Sequence, residues 1–511
     1  MRPAELLYTA LPVAFPQWPR VEACGQFFPM MKRESPYHPA HRWLLTAALF
    51  ALLLPFRAEG SPNILFLFLD DWRWDAAGFA GNKVITTPNM DTLAAQGTVF
   101  ENAYATSAIC MVSRASVFMG QHMQRHGINA FNQNLSASKW QNSYPDRLDD
   151  AGYYLGFIGK HGLADGFTGL YGTYDFDKGW NDQGSFFNQT IDGEAANGRH
   201  LTKFVGDLAV EFLGDVVNPA KNPSSKPFCL QISWKEPHVL DTAEGGEYLP
   251  DPAYDALYAN DTIPHAKTDN QAQFDALPSF FKASTAEGTK RWNHRFGNEQ
   301  KYQDNVRKHH RLIHGVDVQI GRILAALNDP NNDGNSGDSL VSNTIVILSS
   351  DSGAFLGERH QADKWYIQEE SIRVPMVVVD PRLPASQKGK RVSQMVLNID
   401  IPAAILDYAG AALPSVMQGR SMKPIVNGNP PPDWRKSFLH HHPHLGNVFG
   451  NEGVRTLSFS YTRYPSNGNV KQLYDITVDP YQRTNLATDP RYASKVTEMD
   501  ALTTQLKTDA Q

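Results

Sequence analysis

The sequence predicts an α/β protein with a large, mostly parallel central sheet flanked by helices, plus a small C-terminal α+β domain with a short antiparallel sheet. Three observations carry this. Short continuous apolar runs recur along the chain, as strands buried on both faces require. Patterns of helical period separate those runs. From about residue 430 the texture changes to brief strand-like pieces and a final polar helix.

The elements follow in order. Residues 62–69, PNILFLFL, are the first buried strand. Thr87-Pro88 then opens a helix that Gly97 closes, with Thr as cap and Pro in the first turn. Further strands are read at 153–159, 227–234, 343–349 and 374–379. A long helix over 301–327 puts Val306, Ile313, Val316, Ile320, Ile323, Leu324 and Leu327 on one stripe. The polar stretch 236–300 reads as a loop-rich insertion near a substrate entrance. Late strands are read at 437–442, 454–464 and 471–475. This divides the chain into a leader (1–60), a catalytic domain (61–430) and a small C-terminal domain (431–511).

Composition narrows the function. At 511 residues the chain has room for two or three domains. With 41% hydrophobic and 20% charged residues it can bury a core. Residues 1–60 hold six Lys/Arg and four Glu, leaving 41 basic against 49 acidic residues in the body. An acidic body excludes a protein that tracks nucleic-acid phosphates, which needs a basic face.

The N-terminus reads as an export signal. Lys32, Arg33 and Arg42 precede the apolar run 43–56, and Ala58-Glu59-Gly60 offers small residues at a cleavage site before Ser61. Met30 or Met31 looks like the natural start, with residues 1–29 a mis-called extension. The run is short for a membrane span, so the expectation is a periplasmic or secreted protein with no stable span after cleavage. Cys24 leaves with the leader. The remaining Cys110 and Cys229 either pair or serve chemistry, and Cys229, inside an apolar strand, reads as core.

Chemistry in open α/β sheets collects beyond the carboxyl ends of the strands. There the sequence places Asp70-Asp71, Lys160-His161, Lys235 with His238, and Asp351-Ser352-Gly353. Adjacent carboxylates repel unless a cation holds them, and oxygen ligands suit a hard divalent ion, Ca²⁺ ahead of Mg²⁺. The lysines and histidines suit an oxyanion. Cys110, followed by a helix read over 113–120 and by Arg114, is the nucleophile candidate. Metal, cations and a nucleophile together point to hydrolysis of a sulfate or phosphate ester.

Two other patterns are read as plain structure. DPNNDG at 329–334 resembles half a calcium loop, but Leu340 stands where the closing Glu belongs, so it reads as a turn. His440, His441, His442 and His444 alternate faces on a strand, so they cannot all ligate one ion.

The ordered set resembles the formylglycine-dependent sulfatases (type I) of the alkaline-phosphatase superfamily over about 61–490. The matching stretches include PNILFLFLDDWR, TSAICMVSRAS, GYYLGFIGKHG, LQISWKEPH, TIVILSSDSGAFLGE and DKWYIQEESIRVPMVV. The resemblance implies an alkaline-phosphatase-like fold. It implies that a formylglycine-generating enzyme oxidises Cys110 during maturation. One hydroxyl of the hydrated aldehyde then attacks sulfur, and deprotonation of the other expels sulfate. It also implies Asp70, Asp71 and Asp351 as Ca²⁺ ligands with residue 110, and Ser352 beside them. Arg114 and Lys160 would stabilise the hydrate, His161 would deprotonate it, and His238 would protonate the leaving alcohol. Lys364 would clamp sulfate, with Lys235 and His360 on the substrate. The chain departs from the family pattern at Val112 (usually Pro or Ala), at Ser352 (usually Asn or His) and in the shortened Lys160-His161 spacing. The expected substrate is a sulfated small molecule or glycan. The alternatives are a phosphodiesterase or phosphonate hydrolase of the same superfamily, and a non-catalytic sulfoglycan-binding relative with unmodified Cys110.

Overall fold

The computed structural model describes residues 60–164, 172–181 and 184–511. The leader reading, with Cys24, lies outside these residues.

The first strand, β1 (Asn63–Asp70), is buried along its whole length, as its unbroken apolar run requires. It sits inside an eight-stranded sheet with β2 (Thr98–Tyr104), β3 (Tyr154–Lys160), β4 (Phe176–Trp180), β5 (Phe228–Pro237), β6 (Thr344–Ser350), β7 (Met376–Val379) and β8 (Lys390–Leu397). The spatial order is β8-β2-β7-β6-β1-β5-β3-β4. β1 pairs in parallel with β5 and β6. Only β7, read above simply as another buried strand, runs against its neighbours β6 and β2. β2, β4 and β8 escaped the sequence reading for a physical reason. β4 and β8 are edge strands, β8 starts on exposed Lys390 and Arg391, and Glu101 and Asn102 interrupt the apolar run of β2.

Helices cover the sheet. α1 (Pro88–Gln96) has Pro at its first turn after Thr87, and Gly97 follows its last residue. α2 (Cys110–Met119) starts three residues earlier than expected, which makes Cys110 its first residue. α3 (Leu201–Val217) and α4 (Glu299–Asn328) pack on the sheet and on each other. The predicted stripe of α4 is buried throughout. α5 (Asp400–Ala409) is buried under α2. Cys229 lies in the main apolar core, and both Cys110 and Cys229 are free thiols, so the pairing alternative is excluded.

The insertion after β5 is loop-rich, with only short helices such as Gln271–Asp275 and Glu287–Arg295. The 329–334 segment is a turn, with Asp329 accepting from the N–H groups of Asp333 and Gly334, each at 3.1 Å. The C-terminal sheet comprises β9 (Ser437–His442), β10 (Asn451–Thr456), β11 (Phe459–Tyr464) and β12 (Val470–Asp475), all antiparallel, followed by α6 (Ala493–Asp509). The stretch read as one strand over 454–464 is therefore two. Thr456 Oγ1 accepts from the N–H of Phe459 at 2.9 Å and turns the chain between them.

A buried carboxylate ties α1 to α4. Asp317 accepts from the backbone N–H of Met90 (2.8 Å) and of Asn89 (3.3 Å), both in the first turn of α1. Replacing Asp317 with Ala leaves these donors unpaired, and chemical denaturation should show a loss of about 1–3 kcal/mol.

Candidate active site

Four strand ends converge. Asp70 closes β1, Lys160 closes β3, Lys235 lies near the end of β5, and Asp351 follows β6. Asp70 and Asp351 have no exposed surface, and Asp71, Arg114, Lys160 and Lys364 are nearly as buried. Carboxylates there survive only if paired. Lys160 Nζ donates to Asp70 Oδ2, and Lys364 Nζ donates to Asp71 Oδ1 and, at 3.4 Å, to Asp70 Oδ1. Arg114 Nη2 stands 3.4 Å from Asp70 Oδ2, while its Nε donates to Asp351 Oδ2 at 2.9 Å. Three acids face three permanent cations.

The charges respond accordingly. Burial works against the charge on Asp70, but Lys160, Lys364, His238 and Arg114 outweigh it and hold the carboxyl well below its usual range. Asp71 goes the other way. Burial, reinforced by Asp70 and Asp351 and opposed by Lys364, pushes it up to about 8. Burial also raises the Cys110 thiol despite Lys160 and Lys364, which marks both lysines as its neighbours.

Cys110 is delivered by a defined scaffold. Ile109 is extended, the helix starts at Cys110, and Ser113 N–H bonds Ile109 O at 2.9 Å. The first N–H groups of α2 thus point toward residue 110 and its cluster. A second set of bonds locks α2 to β6. Ser113 Oγ donates to Asp351 O at 2.6 Å and accepts from Asn398 Nδ2 at 2.8 Å, and Asn398 Oδ1 accepts from Thr106 N–H at 3.2 Å. Arg114 is fixed further by Lys160 O (2.6 Å) and Ser233 Oγ (3.2 Å). Sequence reasoning missed Asn398, Ser113 and Ser233. The signal for Asn398 was its place just beyond β8, a strand that was itself missed.

Ser352 lies against two of the acids. Its hydroxyl donates to Asp71 Oδ1 at 3.0 Å, with Asp351 Oδ1 at 3.4 Å. Asp351 Oδ1 also accepts the backbone N–H of Asp71 at 3.1 Å. His238 belongs to the same group: Asp70, Asp71 and His238 each offer a ligand atom within 4.8 Å of one another. The donor chemistry fits a divalent cation. Buried carboxylate oxygens dominate, and a hydroxyl stands among them.

The two histidines present opposite faces. His238 Nδ1 lies 2.7 Å from Val239 O and must donate to it, which leaves the lone pair of the neutral ring on Nε2, 3.6 Å from Asp71 Oδ2. His161 Nδ1 accepts from Leu163 N–H at 3.1 Å, which puts the proton of its neutral ring on Nε2. Burial lowers both rings to about 3. His161 at rest therefore offers a donor there, where the resemblance implies a base.

Lys235 is buried beside this group, donating to Gly184 O at 2.9 Å over the Phe186 ring, and burial with Lys160 nearby lowers it to about 8. His360 is placed differently. Its ring stacks on Trp292 at 4.1 Å and on Phe274 at 5.2 Å, with Asp269 as its charged neighbour, partners the carboxylate cluster does not share.

With this geometry in hand, comparison with known proteins is decisive. Residues 62–411 match the family described as Sulfatase. The chain belongs to the sulfatase family. It is a type I sulfatase of the alkaline-phosphatase superfamily, a sulfuric ester hydrolase by membership. Residues 357–509 also match the C-terminal region described for N-sulphoglucosamine sulphohydrolase. An N-acetylglucosamine-6-O-sulfatase of Bacteroides thetaiotaomicron is 27% identical over 502 residues, covering 86% of this chain and 85% of that protein. An arylsulfatase of Clostridium perfringens is 26% identical, covering 85% of this chain and 92% of its own length. Among solved structures, a protein in complex with its substrate D-glucosamine-2-N,6-O-disulfate superposes with TM-score 0.71 at 25% identity, over 88% of this chain and 98% of its own. A phosphonate monoester hydrolase of Agrobacterium radiobacter shares the fold (TM-score 0.69, 19% identity, 88% and 96% covered).

If the acids hold a divalent ion, Ca²⁺ at a hundredfold excess over its Kd should raise the unfolding temperature of this sulfatase by about 3–5 °C. Asp351→Ala should abolish that shift, and Ser352→Asn should keep it, both read by differential scanning calorimetry.

Proposed function

We propose that this protein is an exported sulfatase that removes sulfate esters from a sulfated carbohydrate, using formylglycine made from Cys110. In this reading Ca²⁺ is held by Asp70, Asp71 and Asp351, with residue 110 and Ser352 completing the set. The observation that carries it is the meeting of the Cys110 helix N-terminus with those acids and with Lys160, Lys364 and Arg114 in one buried cluster. The carbohydrate class is supported by likeness to the glucosamine sulfatase and to the structure holding a sulfated glucosamine. Export rests on the leader pattern. No helix among the described residues is long and apolar enough to cross a membrane.

The roles follow from placement. A thiol held protonated by burial is a poor nucleophile, so the unmodified side chain suits this site badly. Formylglycine supplies, when hydrated, a nucleophilic hydroxyl and a second one that lets sulfate leave. Ca²⁺ supplies charge that offsets the sulfate oxygens. Lys160 and Lys364, buried and fully charged, attract the sulfate and fix its orientation. Arg114 is held by four partners, too constrained to follow a moving substrate, so it sets the positions of Asp351 and residue 110. His161 donates from Nε2 and holds an oxygen of the hydrate in its resting tautomer. His238 keeps the lone pair of its resting ring on Nε2, so it passes a proton to the leaving alcohol only after first taking one up there, and Lys235 lines the approach. His360, with its aromatic partners, borders the substrate through the insertion rather than through the metal cluster.

The test is sulfate release from N-acetylglucosamine 6-sulfate and from an aryl sulfate by protein co-expressed with a formylglycine-generating enzyme. Both should be hydrolysed, and Cys110→Ala should lower kcat at least about 10³-fold while leaving the thermal transition in place. Faster turnover of an aryl phosphonate monoester than of any sulfate ester would overturn the sulfate reading.

A further inference from the structure

Asn398, just beyond β8 and without exposed surface, sits between the two flanks of Cys110. Its Oδ1 accepts from the backbone N–H and from the hydroxyl of Thr106, each at 3.2 Å. Its Nδ2 donates to Ser113 Oγ at 2.8 Å. Thr106 stands four residues before Cys110 and Ser113 three after it, so one side chain staples the chain on both sides of the nucleophile. The segment between β2 and α2 is gripped elsewhere too. Ala105 N–H donates to Ile372 O at 2.8 Å, and His441 N–H, in β9, donates to Thr106 O at 3.1 Å. Asn398 is itself held by its backbone N–H, which donates to Tyr104 O at 2.9 Å.

The directions of these bonds are forced. A backbone N–H can only donate, so the atom facing Thr106 is the amide oxygen and the atom facing Ser113 is the amide nitrogen. That nitrogen takes an acceptor site of the Ser113 hydroxyl, whose single hydrogen goes to Asp351 O at 2.6 Å. Asp351 is thereby fixed at its carbonyl, while its carboxylate takes Arg114 Nε and the Asp71 N–H. Thr106, Ser113 and Asp351 are all buried, so a broken link leaves a polar group unpaired. Without the Asn398 donor, the Ser113 hydrogen is free to turn away from Asp351.

We propose that Asn398 is a positioning residue for the sulfatase reaction. It acts through Thr106 and Ser113, and it sets where residue 110 stands relative to the Asp351 carboxylate. The inference rests on the formylglycine reading of residue 110 and extends it to a residue more than 280 positions away in the chain.

The test uses the full chain co-expressed with a formylglycine-generating enzyme, with an aryl sulfate as substrate. Rates are expressed per formylglycine, counted by mass spectrometry, and taken well below the unfolding temperature of each variant. Asn398→Ala should lower kcat on the order of 10²-fold with KM within about twofold of the parent, because misplaced groups cost rate rather than binding. Asn398→Asp keeps the shape and the acceptor for Thr106 but loses the donor for Ser113, and its kcat should fall in the same way. Ser113→Ala should lower kcat as well, and the double variant Asn398→Ala, Ser113→Ala should be no slower than the slower single one, since both cut one link. Losses that multiply would show the two residues acting independently and would overturn the inference. So would the parent's kcat in Asn398→Ala or in Asn398→Asp. Should Asn398→Ala not fold, Asn398→Asp and Ser113→Ala decide between them, and the parent's kcat in either overturns the inference. If the unaltered protein itself hydrolyses no aryl sulfate, the formylglycine reading falls and takes the inference with it, so the two failures are distinguishable.

Discussion

The structure depends on the pairing of Asp70 with Lys160, Lys364 and Arg114 at the buried end of β1. A carboxylate with no exposed surface is tolerated only where opposite charge and hydrogen bonds replace water. Each partner of Asp70 comes from a different part of the chain: Lys160 from the end of β3, Arg114 from α2, and Lys364 from the segment after β6. One acid thus fixes where three elements meet, and Cys110, four residues before Arg114, is fixed with them. The same balance explains why the cluster suits an anionic ester. Three acids and three cations cancel, so a bound divalent cation would leave the site positive and ready for sulfate.

Backbone strain gathers around this point. Asp71, Arg359, His360, Asp363 and Trp365 all adopt positive φ, which side chains other than glycine seldom do. Asp71 turns sharply after β1 and brings its carboxylate back beside Asp70. The 359–365 segment loops so that Lys364 reaches both acids. The loop is pinned from outside by Arg291 and Arg295, which both pair with Asp363. Such local cost is held in place by the ion pairs around it.

Much of this was legible in the sequence. β1, α1, α4 and the strand ends carrying Asp70, Lys160, Lys235 and Asp351 follow from apolar runs and their flanking residues, because burial dictates both. Less legible was whatever depends on contacts between distant segments. Nothing in the local pattern of β8 announces a strand, so Asn398, which clasps Ser113 and Thr106, could not be found. The proton position on His161 is set by the N–H of Leu163, a matter of loop geometry that residue type does not reveal. The stack of His360 on Trp292 joins a short insertion helix to a segment more than sixty residues away.

The central claim is that this buried cluster serves an oxidised Cys110. Mass spectrometry of the tryptic peptide Val84–Arg114, from protein co-expressed with a formylglycine-generating enzyme, tests it most directly. The account predicts a peptide lighter by the exchange of thiol for aldehyde, present in proportion to sulfatase activity and formed despite Val112. An intact Cys110 thiol in protein that hydrolyses sulfate esters at full rate would contradict it.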